Sequence, residues 1–190
     1  MKIGLYFGSF NPIHAGHLII INHVLNETEL DRAWFVVSPQ NPFKPNGSLL
    51  NEYDRLHLVR LATEDDPRVR VSDIEFHLPR PSYTTETLAY LSEKYPDHVF
   101  SLILGSDSFQ NLDKWKNYRA IVDQYHLYIY KRPGFAVENT FGARVTLLDA
   151  PLLQLSATGI RELVRRGKSI RYLVPDKVRE EIERNRYYRN

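Results

Sequence analysis

The stretch Ile3-Gly4-Leu5-Tyr6-Phe7-Gly8-Ser9-Phe10-Asn11-Pro12-Ile13-His14-Ala15-Gly16-His17 decides the architecture. Its first six residues are an apolar run closed by glycine, which reads as a buried strand. Leu18, Ile21, Val24 and Leu25 then recur at helical spacing and predict a helix from about Ala15 to Asn26. A buried strand that enters a helix through a short polar loop is the opening unit of a parallel sheet.

The alternation continues along the chain. Ala33 to Ser38 reads as a second strand, and Pro39 to Ser48, with three prolines, as a loop. Leu58, Leu61 and Ala62 mark a helix ended by Pro67. Val69 to Phe76 reads as a third strand, and Leu88, Leu91 and Tyr95 as a helix stopped by Pro96. Val99 to Leu104, apolar but for Ser101, reads as a central strand and is followed by a helical region that includes Trp115. Leu127 to Tyr130 and Val145 to Leu148 are two more strands. Ile160, Leu163 and Val164 open a helix closed by Gly167, and Val174, Val178 and Ile182 share one face of a last helix with Pro175 at its start. Right-handed crossovers between such strands give an α/β, doubly wound, mostly parallel sheet with helices on both faces. One domain over 1–190 is expected, with a C-terminal helical part from about 156. Such sheets bind ligands at the carboxyl ends of the strands, where strand order reverses. The polar clusters below all follow strands, so they are expected to meet along one edge.

Composition narrows the function classes. The 190 residues are 43% hydrophobic and 25% charged, which fits a globular protein rather than a disordered one. No apolar run approaches the ~20 residues of a membrane span, and the N-terminal run is too short for a signal peptide. Cytoplasm is therefore the default expectation. The absence of cysteine excludes disulfide and thiol chemistry. A net charge of +2 provides no bulk attraction for nucleic acid. Arg184, Arg186, Tyr187, Tyr188 and Arg189 are the one basic-aromatic candidate for RNA, and a frayed terminal helix explains them better. No nucleic acid and no membrane partner are expected, and a homo-oligomer is left open.

Four clusters carry candidate chemistry. In the first, Gly8 allows a turn where a side chain would clash, and Gly16 allows close approach. His14 and His17, three apart, project to one side of the first helical turn, beside free amides and the positive dipole end. With Ser9 and Phe10 they could receive a phosphate. They could equally be a metal pair or a packed helix cap. No cysteine or carboxylate lies in the motif to complete a metal site, so no protein-held metal is expected. The loop also lacks G-x-G-x-x-G and G-K-[ST]. In the second cluster, Leu155-Ser156-Ala157-Thr158-Gly159-Ile160-Arg161, Ser156 and Thr158 suit a helix start. Arg161 stands where the helix dipole opposes a cation unless an anion binds beside it; an ordinary cap with a surface arginine is the alternative. The third, Gly105-Ser106-Asp107 with Trp115 behind it, offers an acceptor for ribose or adenine and an indole for stacking on a flat ring. The fourth is Arg80-Pro81-Ser82-Tyr83-Thr84-Thr85-Glu86-Thr87-Leu88, a turn into a helix whose first amides are free for an anion.

Taken as a string, the first cluster resembles the H-x-G-H signature of a nucleotidyltransferase superfamily, as found in nicotinate mononucleotide adenylyltransferases. The second resembles that superfamily's Ile-Ser-Ser-Thr-x-Ile-Arg motif, with Leu155 and Ala157 departing from it. The third and fourth resemble the subfamily's Gly-Ser/Ala-Asp, Leu-x-x-Trp and Arg-Pro-Ser-Tyr-Thr-x-x-Thr-Leu segments. Asn41-Pro42-Phe43-Lys44 is similar to Asn-Pro-His-Lys, with Phe43 in place of histidine. Tyr130-Lys131-Arg132-Pro133-Gly134 and Tyr172 to Val178 extend the match, which runs from Ile3 to about Tyr188.

The resemblance implies a Rossmann-like nucleotidyltransferase fold and an enzyme that moves AMP from ATP to nicotinate mononucleotide, releasing pyrophosphate, in NAD biosynthesis. It implies catalytic roles for His14, His17 and Arg161. ATP contacts are implied at Gly8, Ser9, Phe10, Gly16, Lys44, Gly105, Asp107, Ser156 and Thr158. Acceptor contacts are implied at Tyr83, Thr84, Thr85, Trp115 and Arg132. Magnesium is expected to arrive on the ATP phosphates. Nicotinamide mononucleotide or phosphopantetheine as acceptor, and a nucleotide-binding module without turnover, are the competing readings.

Overall fold

The computed structural model describes residues 1–39, 49–151 and 153–189. Six strands, β1 (Lys2–Gly8), β2 (Arg32–Val37), β3 (Val69–Ser72), β4 (Val99–Gly105), β5 (His126–Tyr130) and β6 (Arg144–Leu148), form one sheet in the order β3-β2-β1-β4-β5-β6. Every pairing is parallel. Strand order reverses between β1 and β4, and the crevice for a ligand opens there.

Seven helices cover the sheet: α1 (Ala15–Glu27), α2 (Glu52–Thr63), α3 (Thr84–Lys94), α4 (Ser106–Phe109), α5 (Tyr118–Gln124), α6 (Ala157–Arg165) and α7 (Asp176–Arg184). The strands alternate sides as their pleat requires. Tyr6, Phe35, Ile103 and Tyr130 face a core shared with Ile21 of α1, Val59 of α2, Ile160 of α6 and Val178 of α7. Leu5, Val36, Leu102 and Ile129 face the opposite core, with Leu88 and Leu91 of α3, Phe109 of α4 and Ile121 of α5. Burial on both faces explains why the central strands are apolar nearly throughout, Ser101 of β4 being a buried exception.

Three expected elements differ. The third strand stops at Ser72, and Ile74–His77 is a 3-10 turn. Glu75 within it is buried, and its side chain accepts a hydrogen bond from Thr87. A strand continuing through Phe76 would have directed successive side chains to alternate faces. Trp115 follows a 3-10 turn at Leu112–Lys114 in extended backbone rather than lying in a helix. Val174, expected on the face of the last helix, lies before it, and Pro175 is the N-cap at the start of α7.

Candidate active site

The segment 9–14 leaves β1 and enters α1 at the switch point. Phe10 adopts a left-handed backbone, φ 44°, which costs a non-glycine residue energy that packing must offset. Its ring is buried edge-on against Tyr6, His17 and Phe35, with centroids 5.1–5.8 Å away. Gly8 is required by that ring: a Cβ on Gly8 would lie 2.8 Å from it. The glycine thus serves side-chain space rather than turn geometry. Gly105 is alike, since a Cβ there would meet the Asp107 carboxylate.

His14 and His17 are stacked, centroids 3.7 Å apart and 26° between planes. Nδ1 of His17 accepts the His14 backbone N–H at 3.2 Å. A neutral imidazole that accepts at Nδ1 carries its proton on Nε2, so His17 presents Nε2–H as a donor. Burial, then the His14 ring, then the Arg132 guanidinium hold the pKa of His17 well below 6.5. Burial, with a smaller effect from Arg132, lowers that of His14 to about 4. Both rings are therefore neutral hydrogen-bonding groups at pH 7. Nδ1 of His14 is buried without a hydrogen-bond partner among the described residues. The helix-start amides are less free than the sequence suggested: Ala15 N–H donates to Leu173 O at 2.9 Å and His17 N–H to His14 O at 3.0 Å.

The opposite wall comes from the start of α6. Ser156 is its N-cap, accepting Gly159 N–H at 3.1 Å. Ile160 is fully buried and fixes the helix on the sheet; truncating it to alanine removes roughly 2–5 kcal/mol. The next residue, Arg161, donates to Asn11 O at 2.7 Å and to Thr158 Oγ1 at 3.2 Å.

A cavity of about 520 Å³ opens between these walls. It is lined by Gly8, Ser9, Phe10, His14, His17, Gly105, Asp107, Ser156, Thr158 and Arg161. Gly16 lies behind the histidines, where a Cβ would sit 3.1 Å from the His14 ring. Arg132, expected on the acceptor side, lines this larger cavity instead and pairs with Asp107 at 3.4 Å. β5 ends one residue before the Lys131-Arg132 pair, and the Arg132 N–H is held by Ser106 Oγ at 2.8 Å, so the side chain is fixed over this half of the edge. Lys44 lies outside the described residues.

A second cavity of about 170 Å³ adjoins the first, sharing Phe7, Gly8, Ser9, Leu104 and Ser108. It holds Tyr83, Thr84, Thr85 and Trp115. Thr85 Oγ1 donates to Lys116 O at 2.7 Å, joining the α3 start to the Trp115 segment. Glu75 and Ser82 also line it. Sequence reasoning passed over Glu75; the signal was a carboxylate between two apolar residues, Ile74 and Phe76. Burial raises its pKa, and the hydroxyls of Ser38, Thr87 and Ser82 oppose that rise. Arg55 of α2 was passed over too, and its side chain is fully buried.

Among the described residues, no group of three or more His, Asp or Glu side chains could hold a metal ion. No described helix is long and apolar enough to cross a membrane.

The two adjoining cavities at the switch point invite comparison with known proteins. Residues 5–163 match the family model described as cytidylyltransferase-like. A protein of Cytophaga hutchinsonii named "Probable nicotinate-nucleotide adenylyltransferase" is 54% identical over 100% of both chains. One of the same name from Flavobacterium psychrophilum is 48% identical, again over 100% of both. In three dimensions the chain superimposes on a Plasmodium falciparum nicotinic acid mononucleotide adenylyltransferase complexed with NaAD, with TM-score 0.84 over 98% of this chain and 97% of that one. Their 19% identity makes this a likeness of fold. Full-length identity of this order, on the same sheet and with the motif residues gathered at its switch point, places the chain in the nicotinate-nucleotide adenylyltransferase family of cytidylyltransferase-like proteins.

Proposed function

We propose that this protein transfers the adenylyl group of ATP to nicotinate mononucleotide, giving nicotinate adenine dinucleotide and pyrophosphate. One observation carries the reading: His14, His17 and Arg161 converge on a cavity of about 520 Å³ that adjoins a smaller one lined by Trp115 and the α3 start. The larger cavity suits ATP and the smaller a flat ring bearing an anionic group.

The acceptor phosphate attacks the α-phosphorus of ATP, and pyrophosphate leaves in line. The nucleophile is already an anion, so the work is to orient two polyanions and neutralise their repulsion. The His17 Nε2–H donates to phosphate oxygens as charge builds, and His14 flanks it. Being neutral, the imidazoles act through preorganised hydrogen bonds. Arg161, Ser156 and Thr158 hold the departing pyrophosphate. Gly8, Ser9, Phe10, Gly16, Gly105 and Asp107 shape the nucleotide site, Lys44 assists at the phosphates, and Arg132, paired with Asp107, adds positive charge to the larger cavity. Tyr83, Thr84, Thr85 and Trp115 receive the pyridine ring and its carboxylate. Among the described residues Asp107 is the one carboxylate lining the larger cavity, and it is paired with Arg132. That donor set fits a magnesium ion carried on the triphosphate and its waters rather than one caged by protein; its chemistry is to neutralise phosphate charge. The partners are these small molecules, and the setting is the cytoplasm.

Purified protein with ATP and, in turn, nicotinate mononucleotide, nicotinamide mononucleotide and phosphopantetheine, followed by pyrophosphate release, tests the proposal. The first acceptor should give the highest kcat/KM. No release with any acceptor, despite ATP binding, would instead mark a module without turnover.

A further inference from the structure

Arg55 is a charged side chain with no exposed surface. Burying a charge is costly unless it is matched, and here the match is made by carbonyl oxygens. Its Nε donates to Leu50 O at 2.8 Å, one terminal nitrogen to Ser9 O at 2.6 Å and Ser38 O at 2.8 Å, and the other to Pro39 O at 2.9 Å. The four acceptors belong to the loops after β1 and β2 and the residue before the α2 cap. The carboxylate that bears on it, Glu52, is itself paired with Arg80. Burial lowers its pKa to about 10, so it remains a cation at pH 7.

The Ser9 contact has a directional consequence. In a trans peptide the C=O of one residue and the N–H of the next point opposite ways, and Ser9–Phe10 is not among the cis bonds. Holding the Ser9 carbonyl down toward Arg55 turns the Phe10 N–H away from Arg55, and both residues line the larger cavity. The contact adds to the ring packing that offsets the left-handed backbone of Phe10. We propose that Arg55 is a positioning residue for the triphosphate: its guanidinium clamps the Ser9 carbonyl so that the Phe10 amide faces the cavity as an anion donor. A guanidinium suits this better than an ammonium because its planar fork can meet four carbonyls from one side chain. Its uncompensated charge adds positive potential under the phosphates.

The inference rests on the larger cavity being the ATP site, and the test separates the two. Arg55→Lys keeps the charge and loses the fork. In the folded variant, ATP should bind about ten- to hundredfold more weakly, the scale of one charge-assisted hydrogen bond, while adenosine, which lacks phosphates, should bind as to wild type. Unchanged ATP affinity, or equal loss of ATP and adenosine, overturns the proposal. Should R55K fail to fold, the wild-type protein decides: the Phe10 amide proton should move downfield in the NMR spectrum on adding inorganic tripolyphosphate, and a stationary resonance refutes the assignment. Wild-type protein that does not bind ATP at all sinks the functional reading, and this one with it; wild-type turnover alongside an indifferent R55K sinks only the role of Arg55.

Discussion

Arg161 donates a 2.7 Å hydrogen bond to the backbone carbonyl of Asn11, across 150 positions of sequence. The first turn of α6 is thereby tied directly to the loop that carries the two histidines. A cation in the first turn of a helix opposes the helix dipole. Here a carbonyl offsets part of that cost, and Nε of Arg161 remains buried without a partner among the described residues. Arg161→Lys retains charge but cannot reach Asn11 and Thr158 with one planar group. Its kcat/KM for ATP should fall about ten- to hundredfold, the scale of a charge-assisted hydrogen bond. Steady-state kinetics with ATP varied checks this; a wild-type value would show that the arginine only holds the loop.

His17 offers a sharper loss. Its tautomer is set by the His14 backbone N–H, which leaves Nε2–H as the donor. Replacing His17 by alanine removes one preorganised donor and should lower kcat by about 10²–10³. His17→Gln should recover little, because its amide lacks the fixed ring geometry. Comparison of kcat for the folded variants settles the point, and near-normal turnover in H17A would remove the histidine from the mechanism.

The same two rings make stability depend on pH. His14 titrates near 6.5 when unfolded and at about 4 when folded, and His17 is shifted in the same direction. Between those values the unfolded chain binds more protons, so stability falls as pH drops. The contribution is complete above pH 6.5 and is lost on the way down through pH 4. For His14 alone it amounts to about 3 kcal/mol. Melting temperatures of the ligand-free protein from pH 7 to 4.5 should decline more steeply in wild type than in a double H14N/H17N variant. Parallel curves would mean that the imidazoles are solvated.

Much of this was legible from the chain because physical signals coincided. Val99 to Leu104 read as a central strand, since a short run that is apolar but for Ser101 and closed by glycine suits a strand covered on both faces. Ser156 announced a helix start, and it caps α6. What escaped reading was set by tertiary packing. Arg55 lies on a helix whose sequence, Glu52-Tyr53-Asp54-Arg55, resembles a solvated turn; only the folded loops bring four carbonyls around it. Glu75 was hidden by a run that alternates like a strand, and its partner Thr87 comes from α3, twelve residues on. Arg132 followed the right strand, but which cavity it enters depends on its pairing with Asp107, which no local pattern encodes.

Trp115 gives the test of the acceptor side. Its indole lines the smaller cavity and not the larger one, and it also packs on the core beneath α3 and α5. A change confined to that cavity should affect one substrate. Stacking of a heterocycle on an aromatic side chain is worth ~1–3 kcal/mol on replacement by alanine. Trp115→Ala should therefore raise KM for nicotinate mononucleotide by roughly five- to hundredfold and leave KM for ATP near wild type. Trp115→Phe, which keeps a ring, should recover most of the loss. That rescue separates stacking from packing, because a purely structural indole would alter both substrates together. If acceptor KM stays within about twofold in W115A, the pyridine ring binds elsewhere and the division of labour between the two cavities fails.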